Sequence, residues 1–210
     1  MRRKMIIDFT SLAPRIRYKL LTATVTPRPI ALVSTRSRDG VDNAAPFSFF
    51  NVMGEDPPIL VLGLEARAGG VLKDTTSNIR ASGEFVVNLV DEDMAEAMVR
   101  CAADLPSDQS ELSFAGLESE PAEIVAANRI SCAPVSFECR RHVTLELSNM
   151  RNLVVGEILM MHIRDELIDT ETMRVDWSLY RPIGRLFGRN YVRTTDWFSL
   201  NIPKVGDGPA

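Results

Sequence analysis

The sequence predicts a mainly β protein with short helices, folded as an antiparallel barrel. Apolar runs of strand length lie before and after two short helical segments, whereas repeated βαβ units would alternate strands with helices. The connections that can be recognised are hairpin turns. No glycine-rich dinucleotide fingerprint follows the first strand, which argues against a doubly wound nucleotide-binding sheet.

Length and composition predict one domain over residues 1–210, with a core at about 18–195 and an extension at each end. The chain has 210 residues, 45% of them hydrophobic, which is typical of a globular protein. A net charge of −4 with scattered lysines and arginines argues against a nucleic-acid partner. No run approaches the ~20 apolar residues of a membrane helix, and no signal peptide is recognised. We therefore expect a cytoplasmic protein without a membrane partner.

The cysteines do not predict a disulfide or a metal site. Their number, three, is odd and their spacing is irregular, which favours reduced thiols. Cys139 and His142 are ligand types, but three residues apart in a regular strand they point to opposite faces.

A hairpin at residues 28–51 is the segment around which the other elements are arranged. Residues 29–35 form an apolar strand, and residues 36–40 form a polar turn. Pro46 in the returning strand has no N–H for a central ladder, so we expect an edge or a bulge there. Ala44 and its neighbour are small, which leaves room for a flat ligand against the main chain.

The returning strand contains polar and aromatic residues whose role the pattern leaves open. The polar ones are Asn43, Ser48 and Asn51. They could contact a ligand or be ordinary turn residues. The aromatic ones are Phe47, Phe49 and Phe50. Because side chains alternate along a strand, the three rings cannot all face a ligand, and each one taken alone is expected in the core.

A second candidate site lies at the start of a short helix. Lys73 precedes Asp74 and Thr75, either of which could be the N-cap, and the helix should end near Gly83. Free N–H groups, the positive end of the helix dipole and a cation together suit a phosphate. The alternative is a solvated helix start with an exposed lysine.

The other predicted elements are a turn at 56–58, strands at 59–64 and 84–90, a helix after Asp91 with a core-facing methionine stripe, a loop at 105–117, and a long hairpin at 135–163 with a turn at 148–152 and a possible bulge at Gly156.

A basic and aromatic pattern occurs near the C-terminus. At period two it comprises Arg185, Phe187, Arg189, Tyr191 and Arg193. In a regular strand these side chains share one face, which suits an anionic aromatic ligand. Gly184 and Gly188 could shift the register, and the alternative is an exposed edge with solvated arginines.

Three stretches are similar to one family when they are taken together. They are PRPIALVST at 27–35, NAAPFSFFN at 43–51 with Pro57 and Pro58, and Lys73-Asp74-Thr75 with Asn78-Ile79 and Gly83 to Leu89. In this order they resemble the flavin reductase-like proteins with an FMN-binding split barrel, in the branch with flavoredoxin-type and ferric-reductase-type members. The likeness runs from about Tyr18 to Tyr191.

The resemblance implies a homodimer of six-stranded, antiparallel, Greek-key split barrels, each with non-covalent FMN near the subunit interface. It places Asn43, Ala45 and Ser48 against the flavin ring or ribityl chain. It places Lys73, Asp74, Thr75 and Asn78 at the phosphate. The remaining predicted cofactor-binding residues are Ser34, Thr35, Pro46, Phe49, Asn51, Arg189 and Tyr191.

The family's activity implies an NAD(P)H-dependent reductase that passes hydride to bound flavin and on to free flavin, ferric iron or a protein partner. Because the flavin carries the chemistry, we predict no catalytic side chain. Three alternatives remain open: a flavoredoxin-like electron carrier without a nicotinamide site, a non-enzymatic flavin-binding protein, and a split-barrel oxidase of a phosphorylated pyridine. The sequence does not distinguish NADH from NADPH.

Overall fold

A computed structural model describes residues 4–202 of the chain. Its helices are α1 (Pro14–Thr24), α2 (Asp74–Ser82), α3 (Ala95–Arg100) and α4 (Glu111–Ala115), with short 3-10 helices at Ala68–Gly70 and Asp165–Leu167. The first five strands are β1 (Ala31–Arg36), β2 (Asp42–Phe47), β3 (Phe50–Glu55), β4 (Pro58–Glu65) and β5 (Glu84–Leu89). The others are β6 (Ser119–Glu120), β7 (Arg129–Ile130), β8 (Val135–Ser148), β9 (Arg151–Ile163), β10 (Ile168–Asp169), β11 (Arg174–Val175), β12 (Ile183–Arg185) and β13 (Tyr191–Arg193).

The main sheet closes on itself as an antiparallel barrel. Its strand order is β2-β1-β5-β8-β9-β4-β3. β2 and β3 stand at opposite ends of this order, yet only Ser48 and Phe49 separate them in the chain, so the two edges must meet. Counted as one bent strand, β2 and β3 give a barrel of six strands. β5 returns to lie beside β1 after the β1-to-β4 meander, which is a Greek-key connection.

Alternation along β1 divides the core into two parts. Ala31 and Val33 pack inside the barrel with residues such as Leu62 and Phe85. Ile30 and Leu32 point the other way, into a cluster that α3 and α4 cover. Both faces of β1 are therefore buried. This explains why its sequence is a continuous apolar run and does not alternate with polar residues.

Most predicted strands are confirmed. β1 and β2 form the predicted hairpin, and its turn contains Gly40 with φ 83°. Pro46 lies in β2, which pairs on one side only, as its missing N–H requires. Gly83 ends α2 in the left-handed conformation, φ 75°.

Three predictions about secondary structure are wrong or incomplete. Helix α1 was not predicted, since it buries only Thr22 and therefore has no apolar stripe to recognise. Helix α4 lies within the predicted loop at 105–117 and buries Leu112 and Ala115. The C-terminal segment is a hairpin of β12 and β13 rather than one strand, because the chain reverses at Gly188, φ 59°.

Gly156 allows close packing inside the barrel and is not itself a bulge in β9. A Cβ at this position would lie 2.4 Å from Cζ of the fully buried Phe85. The register shift beside Gly156 occurs on the facing strand β8, between Arg141 and Val143, and the one shift with its extra residue on β9 lies at Leu159. The glycine lets the Phe85 ring approach the barrel wall.

A buried carboxylate holds the segment before β7 against the sheet. Glu138 accepts hydrogen bonds from the backbone N–H groups of Glu123 (2.7 Å), Ile124 (2.7 Å) and Val125 (3.1 Å). His162 Nε2 lies 2.6 Å from Oε1 of the same side chain. Desolvation alone would raise the pKa of Glu138, but these hydrogen bonds outweigh it and lower the pKa below its usual range.

We expect Glu138→Gln to lower the free energy of unfolding by about 2 kcal/mol at pH 7, because charge-assisted hydrogen bonds are lost. A lowered native pKa stabilises above the unfolded value, so this difference should shrink as the pH falls below about 4. Chemical denaturation across this range measures it. Glu84→Gln is the matched control, since Glu84 accepts one backbone bond, from Ala126. Parallel pH profiles of wild type and Glu138→Gln would contradict the expectation.

Within residues 4–202, no helix has both the length and the apolarity to cross a membrane.

Candidate functional site

The largest cavity of the site, called here the helix-end cavity, lies between β2, the loop after β4 and the start of α2. Its volume is about 600 Å³, within the usual range for small-molecule sites. Six predicted cofactor-binding residues line it: Asn43, Ala45, Pro46, Lys73, Asp74 and Thr75. The hairpin and the helix start, far apart in the chain, therefore meet at one cavity.

The amino terminus of α2 presents free backbone donors beside this cavity. Lys73 occupies the N-cap position, one residue before the predicted cap, and its side chain makes no capping hydrogen bond. The first N–H groups of a helix have no intrahelical partner, and the dipole adds positive potential there. The Lys73 side chain is exposed and lines the cavity. This geometry suits an anion such as a phosphate.

Arg67 adds a second cation, which no sequence pattern singled out. Its Nη2 lies 3.1 Å from Asp74 Oδ2 and 3.0 Å from Asp104 Oδ1. Asp74 also accepts a 2.6 Å bond from the Ser107 hydroxyl. Desolvation raises the pKa of Asp74, but the bonds from Ser107 and Arg67 outweigh it and leave the pKa lowered. Asp74 is thus an anion that holds Arg67 at the cavity.

A hydrogen-bonded network joins the hairpin to α2 behind the cavity. Asn43 Nδ2 donates to Thr75 Oγ1 (3.0 Å) and to Thr35 Oγ1 (3.2 Å). Asn78 Nδ2 also donates to Thr35, at 3.0 Å. Thr35 and Asn78 do not line the helix-end cavity. Their bonds fix the orientation of Asn43 and Thr75, which do.

Glu111 closes one wall of the cavity from helix α4. Its Oε2 accepts the backbone N–H of Ala44 at 3.1 Å, so it occupies a donor on the free edge of β2. Burial raises the pKa of this carboxyl group, and the neighbouring charge of Asp74 acts in the same direction.

Two further cavities adjoin the helix-end cavity along Pro46 and Phe47. A passage of about 170 Å³ is lined by Ser48, Phe49 and Arg151. A larger space of about 480 Å³, called here the arginine cavity, contains Arg189 and Tyr191. Lys73 does not line it, so Arg189 lies apart from the helix start.

On its other side the helix-end cavity adjoins an acidic cavity of about 320 Å³. Four carboxyl groups line this space: Asp39, Asp74, Asp108 and Glu111. Asn78 lies here as well.

Two predicted site residues lie elsewhere. Ser34 points to the opposite face of β1, where its hydroxyl donates to the Asn128 carbonyl (2.6 Å) and accepts from Asn88 (3.0 Å). Asn51 is exposed on β3, where its side chain accepts the N–H of Val52. Strand alternation separates both from the helix-end cavity.

Cys139 and His142, the metal-ligand types noted in the sequence, lie in different environments. Cys139 is buried and His142 is exposed. No group of three or more metal-ligand side chains occurs among residues 4–202.

Comparisons with known proteins agree with this fold. A family model described as a flavin reductase like domain matches residues 23–182. The crystal structure of 2-nitrobenzoate 2-nitroreductase from Pseudomonas fluorescens is 42% identical, covers 98% of this chain and 99% of its own, and superposes with a TM-score of 0.89. Nitrilotriacetate monooxygenase component B from Bacillus cereus is 31% identical, covers 95% and 100%, and has a TM-score of 0.90. An uncharacterized protein of Aquifex aeolicus is 43% identical over 88% of this chain and 93% of its own. The predicted antiparallel split barrel is confirmed.

Proposed function

We propose a function from one premise: the chain belongs to the flavin reductase-like family, whose model matches most of its length. On that premise its cofactor is a flavin, and the protein is an NAD(P)H-dependent reductase. It takes a hydride from NADH or NADPH onto bound FMN and passes the electrons to a second acceptor. The observation that carries the proposal is the uncapped start of α2, with Lys73 and Arg67 beside a cavity of about 600 Å³.

The residues present fit the phosphate and ribityl parts of FMN. Lys73, Arg67 and the free N–H groups of α2 would bind the phosphate dianion. Thr75 and Asn43, fixed by their mutual bond, would meet the ribityl hydroxyls. Ala45 and Pro46 leave the main chain of β2 open to a flat ring.

The flavin supplies the redox chemistry when it is bound, and the protein positions and shields it. Within residues 4–202 the Ser48 backbone N–H has no hydrogen-bond acceptor in the fold, and Ser48 lines both adjoining cavities. It is available to a polar edge of the ring. Arg28, buried beneath, donates from Nε to Ser48 Oγ at 3.3 Å and holds this turn in place.

The similarity to a 2-nitrobenzoate 2-nitroreductase favours a nitro group as one acceptor. The balance is simple: the nitro group takes two electrons and two protons, becomes nitroso and releases water. One NAD(P)H and one proton from solvent are consumed. The test of the reductase function is bleaching of the bound flavin by NADH or NADPH without oxygen.

We expect the purified protein to be yellow and to release FMN, not FAD, on denaturation. FAD would extend past the phosphate end with a second phosphate and an adenosine. The adjoining space there is the acidic cavity, whose carboxylates repel a diphosphate. Chromatography of the released chromophore decides this, and recovery of FAD would contradict it.

We also expect a homodimer. An apolar groove of about 530 Å³ adjoins Ser48 and Phe49 on the outside of the barrel. Several of its lining side chains are large, apolar and exposed: Leu21, Val25, Met53 and Leu147. Such a patch marks an interface more often than free surface, and a partner there would add a wall beside the flavin. Light scattering of the flavin-loaded protein should give twice the 23.3 kDa chain mass. A monomer with flavin bound would contradict this.

A further inference from the structure

The arginine cavity is positively charged, in contrast to the protein as a whole. Arg185 and Arg189 line it, and no carboxylate of residues 4–202 does. The whole chain has a net charge of −4, and the acidic cavity on the other side of the helix-end cavity is lined by four carboxyl groups. Such local segregation of charge raises the concentration of anions in one space.

The two arginines differ in their availability. The Arg185 guanidinium donates to the Tyr191 hydroxyl and the Gly188 carbonyl, and it lies 4.5 Å from the centre of the Tyr191 ring. These partners are neutral, so its charge is not compensated, but its position is fixed. Arg189 makes no hydrogen bond or ion pair within residues 4–202 and is exposed at the turn between β12 and β13. It is therefore available to a ligand.

The remaining walls are mostly apolar and include aromatic rings. Ile30, Phe47 and Met98 line one side, and Tyr18 and Tyr191 contribute rings. Apolar walls with a single free guanidinium suit a planar ligand that carries one anionic group. A carboxylate matches the guanidinium fork with two parallel hydrogen bonds.

We propose that the arginine cavity binds the electron acceptor as an aromatic carboxylate that also carries a reducible group, the nitro group of the proposed function, with Arg189 at the carboxylate. This rests on the proposed function, in which NAD(P)H supplies two electrons and one proton and solvent supplies the second proton. The nitro group becomes nitroso and releases water, while the carboxylate is not reduced and serves for binding. The phosphates of NAD(P)H are the other source of anionic groups. They bring more than one charged group. Among the described lining residues, however, Arg189 is the one guanidinium that the fold does not already hold, and this matches a ligand with a single anionic group.

The experiment measures binding of 4-fluorobenzoate and its neutral analogue 4-fluorobenzamide by fluorine NMR. We expect wild-type, FMN-loaded protein to bind the acid about tenfold more tightly than the amide. Arg189→Gln should weaken the acid about tenfold and leave the amide unchanged. Arg193→Gln is the matched control: it removes the same charge from the same hairpin, but Arg193 pairs with Glu92 and does not line the cavity.

Three outcomes would overturn the proposal: equal affinity for acid and amide, no weakening in Arg189→Gln, or the same weakening in Arg193→Gln. A raised KM for NADH or NADPH in Arg189→Gln, with 4-fluorobenzoate binding unchanged, would overturn it too and assign the cavity to the nicotinamide nucleotide. Failure of the reductase function appears separately, as a protein without bound flavin or without bleaching by NAD(P)H. In that case the same titration of the flavin-free chain still decides whether the cavity selects an aromatic anion.

Discussion

Lys73→Ala should bind FMN about tenfold to a hundredfold more weakly than wild type. If the ammonium group contacts the phosphate dianion, its loss removes roughly 1.5–3 kcal/mol of charge-assisted interaction. Arg67 and the helix amino terminus remain, so binding should weaken without being abolished. Fluorescence titration of the flavin-free protein measures both dissociation constants.

Riboflavin, which lacks the phosphate, is the control ligand for this variant. Its affinity should be the same in wild type and Lys73→Ala, whereas a folding defect would lower both affinities. Raised salt should weaken FMN binding more in wild type than in the variant. Lys19→Ala, at an exposed lysine on α1, removes the same charge away from the helix-end cavity. Equal FMN affinity in Lys73→Ala and wild type would exclude Lys73 from the site.

Gly156→Val should destabilise the fold by at least about 3 kcal/mol. Its Cβ alone would lie 2.4 Å from Phe85 Cζ, and Phe85 is fully buried inside the barrel. Neither the ring nor the paired strands β4, β8 and β9 can move without loss of packing. Urea denaturation monitored by circular dichroism measures the change.

The second variant of this test is Phe85→Leu, which removes the ring edge that the new side chain would meet. In the double variant the cost of Gly156→Val should fall by at least about 1 kcal/mol, since the two positions are in direct contact. Additive effects of the two substitutions would show that another contact requires glycine at 156.

The sequence was sufficient to predict those elements whose signal lies in a few neighbouring residues. The apolar run of β1 and its turn at Gly40 identified the first hairpin, and the pairing of β1 with β2 confirms it. Gly83 marked the end of α2, because helices commonly end at a residue in the left-handed conformation and glycine adopts it most easily. Helix α1 was missed because it buries almost nothing, and the C-terminal reversal was missed because period two is compatible with either a strand or a tight hairpin.

The site was predictable in part. Lys73 and Thr75 carried a physical signal, the start of a helix, and the structure places both at the helix-end cavity. Arg67 reaches it from the loop after β4, and Glu111 reaches it from helix α4, which was not predicted. Only tertiary structure brings them there. Ser34 precedes Thr35, which bonds to Asn43 behind the helix-end cavity, but one residue along a strand moves a side chain to the other face.

The most direct test of the reductase function is an anaerobic titration of the FMN-loaded protein with NADH and, separately, with NADPH. We expect the visible absorption of the flavin to bleach with one of them at one equivalent per bound FMN, within seconds, and to return when oxygen or a nitroarene is admitted. A flavin that stays oxidised with excess of both nucleotides, yet bleaches with dithionite, would contradict the proposal and leave an electron carrier that is reduced by another protein.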